Sequence, residues 1–157
     1  MSIINIYKDS RLLQLISGPN IILSCTFGIG RVPKGPKTRE GDGKTPEGRY
    51  AVCTPNEQSK YTLFLGLNYP APKDAQPAYE QGVITREQFE AIHHAHKDGL
   101  RPPWNTPLGG QIGIHGGAIE ADGILADNTA GCIALCDADI QVLWLHADIG
   151  TPVIIYP

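Results

Sequence analysis

Residues 2–27 read SIINIYKDSRLLQLISGPNIILSCTF, and this stretch indicates the fold class. Two apolar runs, 2–7 and 11–16, flank a short polar Lys-Asp-Ser segment, which is typical of a β-hairpin. A second turn, Ser-Gly-Pro-Asn, then precedes a third apolar run at 21–27. The sequence therefore predicts that the chain begins as an antiparallel meander of three strands.

Further strands and two short helices are predicted along the rest of the chain. The first helix, 86–97, begins at the capping-box pair Thr85 and Gln88 and is closed by a glycine. The second helix, 138–147, has Asp137 as its N-cap. The further strands are predicted at residues 49–54, 61–67, 111–115 and 152–156.

Two irregular stretches complete the pattern. Residues 28–48 form a Gly/Pro/Lys-rich loop that is too long to be a mere connector, and residues 68–84 are rich in proline. Strands that come first, with helices inserted late, do not follow the βαβ alternation of a parallel sheet. We therefore predict a mainly β protein with two short helices (α+β), folded as one domain over residues 1–157.

Composition and charge exclude several classes of protein. The chain has 157 residues, with 13 Lys+Arg against 16 Asp+Glu and a net charge of -3. Because no run of basic residues occurs, a nucleic-acid or anionic-membrane surface is not expected. The longest apolar stretches are a few residues long, against the roughly 20 that a membrane-spanning helix needs. The start, MSIINIYKDSR, lacks the features of an export signal, so either no conventional signal exists or one was removed.

Cys132 and His115 stand in settings that allow chemistry. His115 ends a predicted strand, and Cys132 follows the small residues Thr129, Ala130 and Gly131. A nucleophilic cysteine needs a base, an accessible thiol and nearby backbone N–H groups for an oxyanion. The small residues would leave the N–H groups of Gly131 and Cys132 available. On this pattern alone, a buried thiol beside a strand-end histidine is favoured, and a catalytic pair is the alternative.

Four motifs that occur in a fixed order favour the catalytic pair over the buried thiol. They lie at residues 41–50 (GDGKTPEGRY), 112–116 (IGIHG), 129–135 (TAGCIAL) and 150–153 (GTPV). Together they resemble the catalytic domain of the L,D-transpeptidase family, also called YkuD-type, which acts on bacterial peptidoglycan. The resemblance covers nearly the whole chain and implies the family's β-sandwich fold.

The resemblance also implies a role for each matching residue. Cys132 matches the nucleophile that accepts the acyl group, and His115 matches its general base. Gly116 matches the residue whose carbonyl orients the imidazole, where a serine protease uses Asp. Gly131 and Cys132 match the backbone donors of the oxyanion hole, and Thr129 matches a Ser/Thr whose hydroxyl shapes the loop.

Two positions depart from the family pattern. Ala130 stands where His or Arg is common, and Ala134 stands where Arg is common. Loss of the arginine removes a guanidinium that could hold a carboxylate or stabilise a thiolate. The resulting Gly-Cys-Ile-Ala variant resembles a subgroup of smaller Gram-negative enzymes, some of which look like hydrolases that undo cross-links.

The function implied is a cysteine-dependent peptidoglycan L,D-transpeptidase that acts on stem tetrapeptides through an acyl-thioester on Cys132. An L,D-carboxypeptidase or amidase that trims or unlinks stem peptides, including as a secreted effector, is the alternative. A catalytically silent peptidoglycan-binding module, suggested by Ala134, ranks third. The expected location is the periplasm or cell envelope, with the cytoplasm or a specialised secretion route left open. The oligomeric state is not predicted.

The other histidines carry a weaker hypothesis. His93, His94 and His96 lie on the first predicted helix, where only His93 and His96 share a face. No Cys or carboxylate ligands stand nearby to complete a metal site. We interpret the three as a solvated helix face or a lid over the site, and we predict no metal and no cofactor.

The remaining candidates each leave two interpretations open. Cys25 and Cys53 are interpreted as free buried thiols rather than a disulfide. Cys136 is interpreted as a structural thiol rather than a redox or metal partner of Cys132. Trp104 either lines a groove or packs on the core. The basic side chains of the long loop either attract substrate carboxylates or are solvated, and no site is predicted there: Lys34, Lys37, Arg39 and Lys44.

Overall fold

Ten strands and three helices form the fold in the computed structural model, which describes residues 1–157. The strands are β1 (Ser2–Tyr7), β2 (Leu12–Ser17), β3 (Asn20–Cys25), β4 (Gly48–Ser59), β5 (Thr62–Leu67), β6 (Gly113–His115), β7 (Glu120–Ala121), β8 (Ile124–Leu125), β9 (Ile133–Ala134) and β10 (Pro152–Tyr156). The helices are α1 (Pro72–Glu80), α2 (Arg86–Lys97) and α3 (Asp137–His146). The predicted mainly β fold class is confirmed.

Eight of the strands form one sheet that curls over on itself. Its order is β3-β2-β1-β10-β4-β5-β6-β9, while β7 and β8 form a separate hairpin. The segment after β3 meets β9 through two backbone hydrogen bonds between Gly28 and Ala134, of 2.9 and 2.8 Å. The two edges of the sheet therefore come together, and the expected β-sandwich is formed by a single sheet.

The opening meander is confirmed, with its strands within two residues of their predicted bounds. β1 pairs antiparallel with β2, and β2 with β3. Alternate residues of these strands point inward, so that Ile4, Ile6, Leu13 and Leu15 are fully buried. The last strand, β10, runs parallel to β1, which places the end of the chain in the middle of the sheet.

Helix α1 was not predicted, because its prolines indicated an irregular stretch. Pro72 stands in the first turn, where a missing N–H costs no helical hydrogen bond, and only Pro77 lies further inside. The helix buries Ala75 and Ala78 in a small apolar cluster with Ile92 of α2. Packing against α2 therefore stabilises a segment whose composition disfavours a helix.

The other two helices lie close to their predicted positions. α2 has the predicted bounds, and Thr85 and Gln88 form the capping box. α3 begins at Asp137, so the N-cap is Cys136 and the prediction that Asp137 caps the helix was wrong. The Asp137 carboxylate instead accepts hydrogen bonds from the Gly117 N–H (2.9 Å) and the Thr62 hydroxyl (3.1 Å). No helix combines the length and apolarity that crossing a membrane requires.

The long loop between β3 and β4 is fixed by a buried lysine. Lys8 follows β1 and is 4% exposed. Its ammonium donates to the carbonyls of Gly35 and Thr45 and to the Glu47 carboxylate, each at 2.9 Å. An ammonium has three hydrogens to donate, so the structure satisfies all of them. The loop is therefore anchored at two points along its length.

Candidate active site

The pairing of β6 with β9 brings Cys132 and His115 together. The two strands are parallel, and His115 stands opposite Ala134. Since side chains alternate along a strand, Cys132, two residues before Ala134, points to the same face as His115. Both side chains line a cavity of about 750 Å³. A short parallel ladder thus brings together two residues that stand apart in the sequence.

His115 is buried, and a backbone hydrogen bond fixes the orientation of its ring. Nδ1 lies 2.6 Å from the Gly116 carbonyl oxygen. A carbonyl can only accept, so Nδ1 carries the hydrogen and Nε2 keeps its lone pair. The Tyr61 ring stacks on the imidazole, with the ring centres 4.2 Å apart. Burial lowers the pKa of His115, helped by the charge of Lys60 and opposed by the hydrogen bond to Gly116, and the net lowering keeps the imidazole neutral near pH 7.

The Cys132 thiol is half-buried and resting in its protonated form. Its Sγ donates to the Gln111 carbonyl at 3.3 Å and makes no hydrogen bond to His115. Burial raises the pKa of the thiol, although the Gly113 N–H and the charge of Lys37 oppose that shift. A neutral thiol is a poor nucleophile, so this cysteine needs a base to become reactive. The neutral Nε2 of His115 can serve as that base.

Thr129 and Gly131 shape the turn that precedes the thiol. The Thr129 hydroxyl donates to the Cys132 carbonyl at 2.7 Å and accepts from the Gly131 N–H at 3.1 Å. Gly131 has a φ of 145°, and a Cβ there would lie 2.6 Å from the Lys44 carbonyl oxygen, so only glycine fits. Because Thr129 occupies it, the Gly131 N–H is not the free donor that the sequence predicted. The Cys132 N–H has no partner within the protein.

The segment leading into this turn is held by an ion pair. The Arg11 guanidinium forms a bidentate contact with the Asp127 carboxylate, one arm of which measures 2.6 Å. Asp127 also accepts from the Ile29 N–H at 3.0 Å. Hydrogen bonds to Arg11 and Ile29 outweigh the effect of burial and lower the pKa of Asp127. Thr129, which follows Asp127 after one intervening residue, is thereby attached to the first hairpin.

The cavity wall contains two side chains whose place there the sequence did not predict. Trp104 lines the cavity, half-buried, with the Arg101 guanidinium 4.6 Å from its ring centre. Its indole Nε1 is buried and has no hydrogen-bond partner. Lys37 lines the same cavity although no site was predicted for it. Its position within a Gly/Pro-rich loop gave no sign of burial.

The other histidines and cysteines lie away from the cavity. His93 and His94 are exposed on α2, and His96 Nε2 donates to the carbonyls of Asn68 (2.7 Å) and Pro70 (3.0 Å). No cluster of three or more His, Cys, Asp or Glu that could hold a metal ion is present. All four cysteines are free thiols, which confirms that interpretation for the two early ones, and both are half-buried rather than fully buried.

These observations define a class of protein: a curled β-sheet that presents a cysteine and a neutral histidine in one cavity. The model of the YkuD family, the L,D-transpeptidase catalytic domain, matches residues 2–155. The chain belongs to this family. No curated protein sequence matches it significantly.

Solved structures share the fold at low sequence identity. The helical cell shape determining protein Pgp2 from Campylobacter jejuni has a TM-score of 0.65 at 22% identity, covering 98% of this chain and 46% of that one. Bd1075 of Bdellovibrio bacteriovorus has a TM-score of 0.60 at 23% identity, covering 99% and 47%. An L,D-transpeptidase from Xylanimonas cellulosilytica has a TM-score of 0.53 at 18% identity, covering 99% and 60%. This chain thus spans roughly half the length of these proteins.

Proposed function

We propose that this protein is a cysteine acyltransferase that acts on peptidoglycan stem tetrapeptides. The observation that carries the proposal is the placement of Cys132 and a neutral His115 on one face of adjacent strands, in a cavity large enough for a peptide. Membership of the L,D-transpeptidase catalytic domain family supports the substrate class. Residues 1–157 would act as one catalytic domain, in the periplasm or cell envelope where peptidoglycan lies.

In the proposed first step, His115 Nε2 takes the proton from the Cys132 thiol. The thiolate attacks the carbonyl on the L-centre side of the L,D peptide bond, so a C–S bond forms and the carbonyl electron pair moves to oxygen. Collapse of this intermediate breaks the C–N bond. His115 then gives its proton to the leaving D-alanine, and an acyl-thioester remains on Cys132.

The oxyanion would rest on backbone donors at the cavity. The Cys132 N–H is free to donate, whereas the Gly131 N–H is occupied by Thr129. Each such donor, when fixed in advance, contributes about 2.7–4 kcal/mol to stabilising the transition state. The Gly116 carbonyl keeps the imidazole in the tautomer that this sequence of proton transfers requires.

The acyl-thioester can then react with either of two acceptors. In transpeptidation an amine attacks, loses its proton to His115 and releases the Cys132 thiol as the C–S bond breaks. Hydrolysis follows the same path with water, and it is the second candidate because the exposed Gln111 and Ala130 leave the cavity mouth open to solvent. Both reactions share the first step.

Product analysis separates these two outcomes. We expect that incubation with disaccharide-tetrapeptide yields cross-linked dimers that have lost one D-alanine, measured by mass spectrometry. The matched control is the same incubation with Cys132→Ala, which should yield neither dimers nor shortened peptides. Shortened peptides without dimers, even with excess acceptor, would establish the hydrolase. Unchanged substrate with the wild-type protein would contradict both.

A further inference from the structure

The loop between β3 and β4 places one lysine against the nucleophile turn. The Lys37 side chain is 3% exposed, which is rare for a lysine in a loop. Its Nζ lies 3.0 Å from Asp42 Oδ1 and 3.3 Å from the Ala130 carbonyl oxygen. The second contact joins the long loop to the turn that carries Cys132.

Two glycines lie in contact distance of this side chain. A Cβ on Gly109 would lie 3.4 Å from Lys37 Cε, and a Cβ on Gly131 would lie 3.6 Å from Lys37 Nζ. Gly109 leads into Gln111, whose carbonyl accepts from the Cys132 thiol. The lysine therefore lies between the two segments that hold the sulfur.

Asp42 keeps the ammonium in place. Its carboxylate accepts hydrogen bonds from the N–H groups of Thr38 (2.9 Å), Arg39 (3.2 Å) and Lys44 (3.1 Å) as well as from Lys37. Although burial alone would raise it, these bonds and the Lys37 charge lower the pKa of Asp42, so the carboxylate stays ionised. A buried ion pair often adds little net stability, because desolvation offsets the attraction. Stability alone therefore does not explain a buried lysine at this point.

We propose that Lys37 is a positioning residue for the nucleophile turn. Its ammonium holds the Ala130 carbonyl and so fixes the turn in which the Cys132 N–H remains unpaired, and its positive charge favours the thiolate over the thiol. Ala130 and Ala134 carry no charge, and among the cations that line the cavity Lys37 is the one that donates a hydrogen bond to the turn, at the Ala130 carbonyl. This inference rests on the proposed role of Cys132 as the nucleophile.

Other charged and titratable groups face the same cavity from the surrounding elements. His115 lies on β6, and Lys60 and Tyr61 lie in the turn between β4 and β5. The lining also includes Glu40 and Arg101. The experiment must therefore change Lys37 while leaving these groups in place. It must also measure the reactivity of the Cys132 thiol directly.

The test is the pH dependence of alkylation of Cys132 by iodoacetamide, followed by peptide mass spectrometry so that the other cysteines are distinguished. In Lys37→Met, the midpoint of the alkylation profile is expected to move upward by about one pH unit, with a roughly tenfold lower rate at pH 7. Lys37→Arg should keep the midpoint near that of the wild type. The matched control is Lys34→Met, an exposed lysine of the same loop, whose profile should not move.

A purely structural role would give a different result. If the Lys37→Met protein is folded by circular dichroism yet keeps the wild-type midpoint, the inference is wrong, whatever the change in Tm. Lys37→Gln provides a second neutral variant in case the methionine variant does not fold. Alkylation needs no peptide substrate, so its result does not depend on whether the protein turns over peptidoglycan. Turnover by Cys132→Ala tests the proposed function separately.

Discussion

Turnover of disaccharide-tetrapeptide by the Cys132→Ala variant is expected to fall by roughly 10⁴-fold or more. Alanine has no nucleophilic atom in its side chain and cannot form the thioester. The variant should remain folded, because the thiol is half-buried and its one hydrogen bond is to the Gln111 carbonyl. Release of D-alanine, followed over time, measures the effect.

The matched control for this variant is Cys25→Ala. Cys25 is also a half-buried free thiol, but it lies on β3 and packs against the main core rather than lining the cavity. Its replacement should leave the rate unchanged within about twofold. Comparable losses in both variants would mean that the effect comes from packing and not from the nucleophile.

The second large effect is expected from His115→Gln, which should lower kcat by roughly 10²–10⁴-fold. The variant removes the base, and the side chain cannot accept the thiol proton. Because burial lowers the pKa of His115 below its usual 6.5, the imidazole is neutral at and above neutral pH. Wild-type activity should therefore fall on the acid side, below about pH 6.5, as His115 gains a proton. The pH profile of D-alanine release measures both features.

Comparison with His93→Gln separates the base from a general effect of removing a histidine. His93 is exposed on α2 and does not line the cavity, so its variant should keep both the rate and the acid limb. His115→Gln should lose the acid limb together with most of the rate. A variant at position 115 that keeps the wild-type pH profile would contradict the assignment of His115 as the base.

The mainly β fold followed from local patterns that the structure preserves. Two apolar runs on either side of a short polar segment predicted the pairing of β1 with β2. The capping box at Thr85 predicted the start of α2 because it is a contact within four residues. Such signals lie within short windows, which is why the sequence alone reveals them.

Contacts between distant segments account for what the sequence did not predict. Helix α1 depends on packing against α2, which overrides the effect of Pro77. The burial of Lys37 depends on Asp42 and on a turn about ninety residues further along the chain. Likewise, four ordered motifs pointed to Cys132 and His115, but the parallel register of β6 and β9 was not visible in them.

The backbone donors for the oxyanion are a second feature that the sequence predicted only in part, although the residues involved are close in the chain. The small residues before Cys132 predicted two free N–H groups, and they do allow the close approach that Gly131 makes to the Lys44 carbonyl. The Thr129 hydroxyl, however, turns back to accept from the Gly131 N–H. A hydroxyl two residues away can either face solvent or cap the turn, and the composition of the motif does not distinguish these conformations.

Intact-protein mass spectrometry after a rapid acid quench tests whether the reaction passes through Cys132. We expect the wild-type protein, mixed with disaccharide-tetrapeptide, to gain the mass of the substrate less D-alanine. Peptide mapping should place this adduct on Cys132, and hydroxylamine should remove it, as it does a thioester. The absence of any adduct on Cys132 during steady turnover, or an adduct on another residue, would contradict the proposed mechanism.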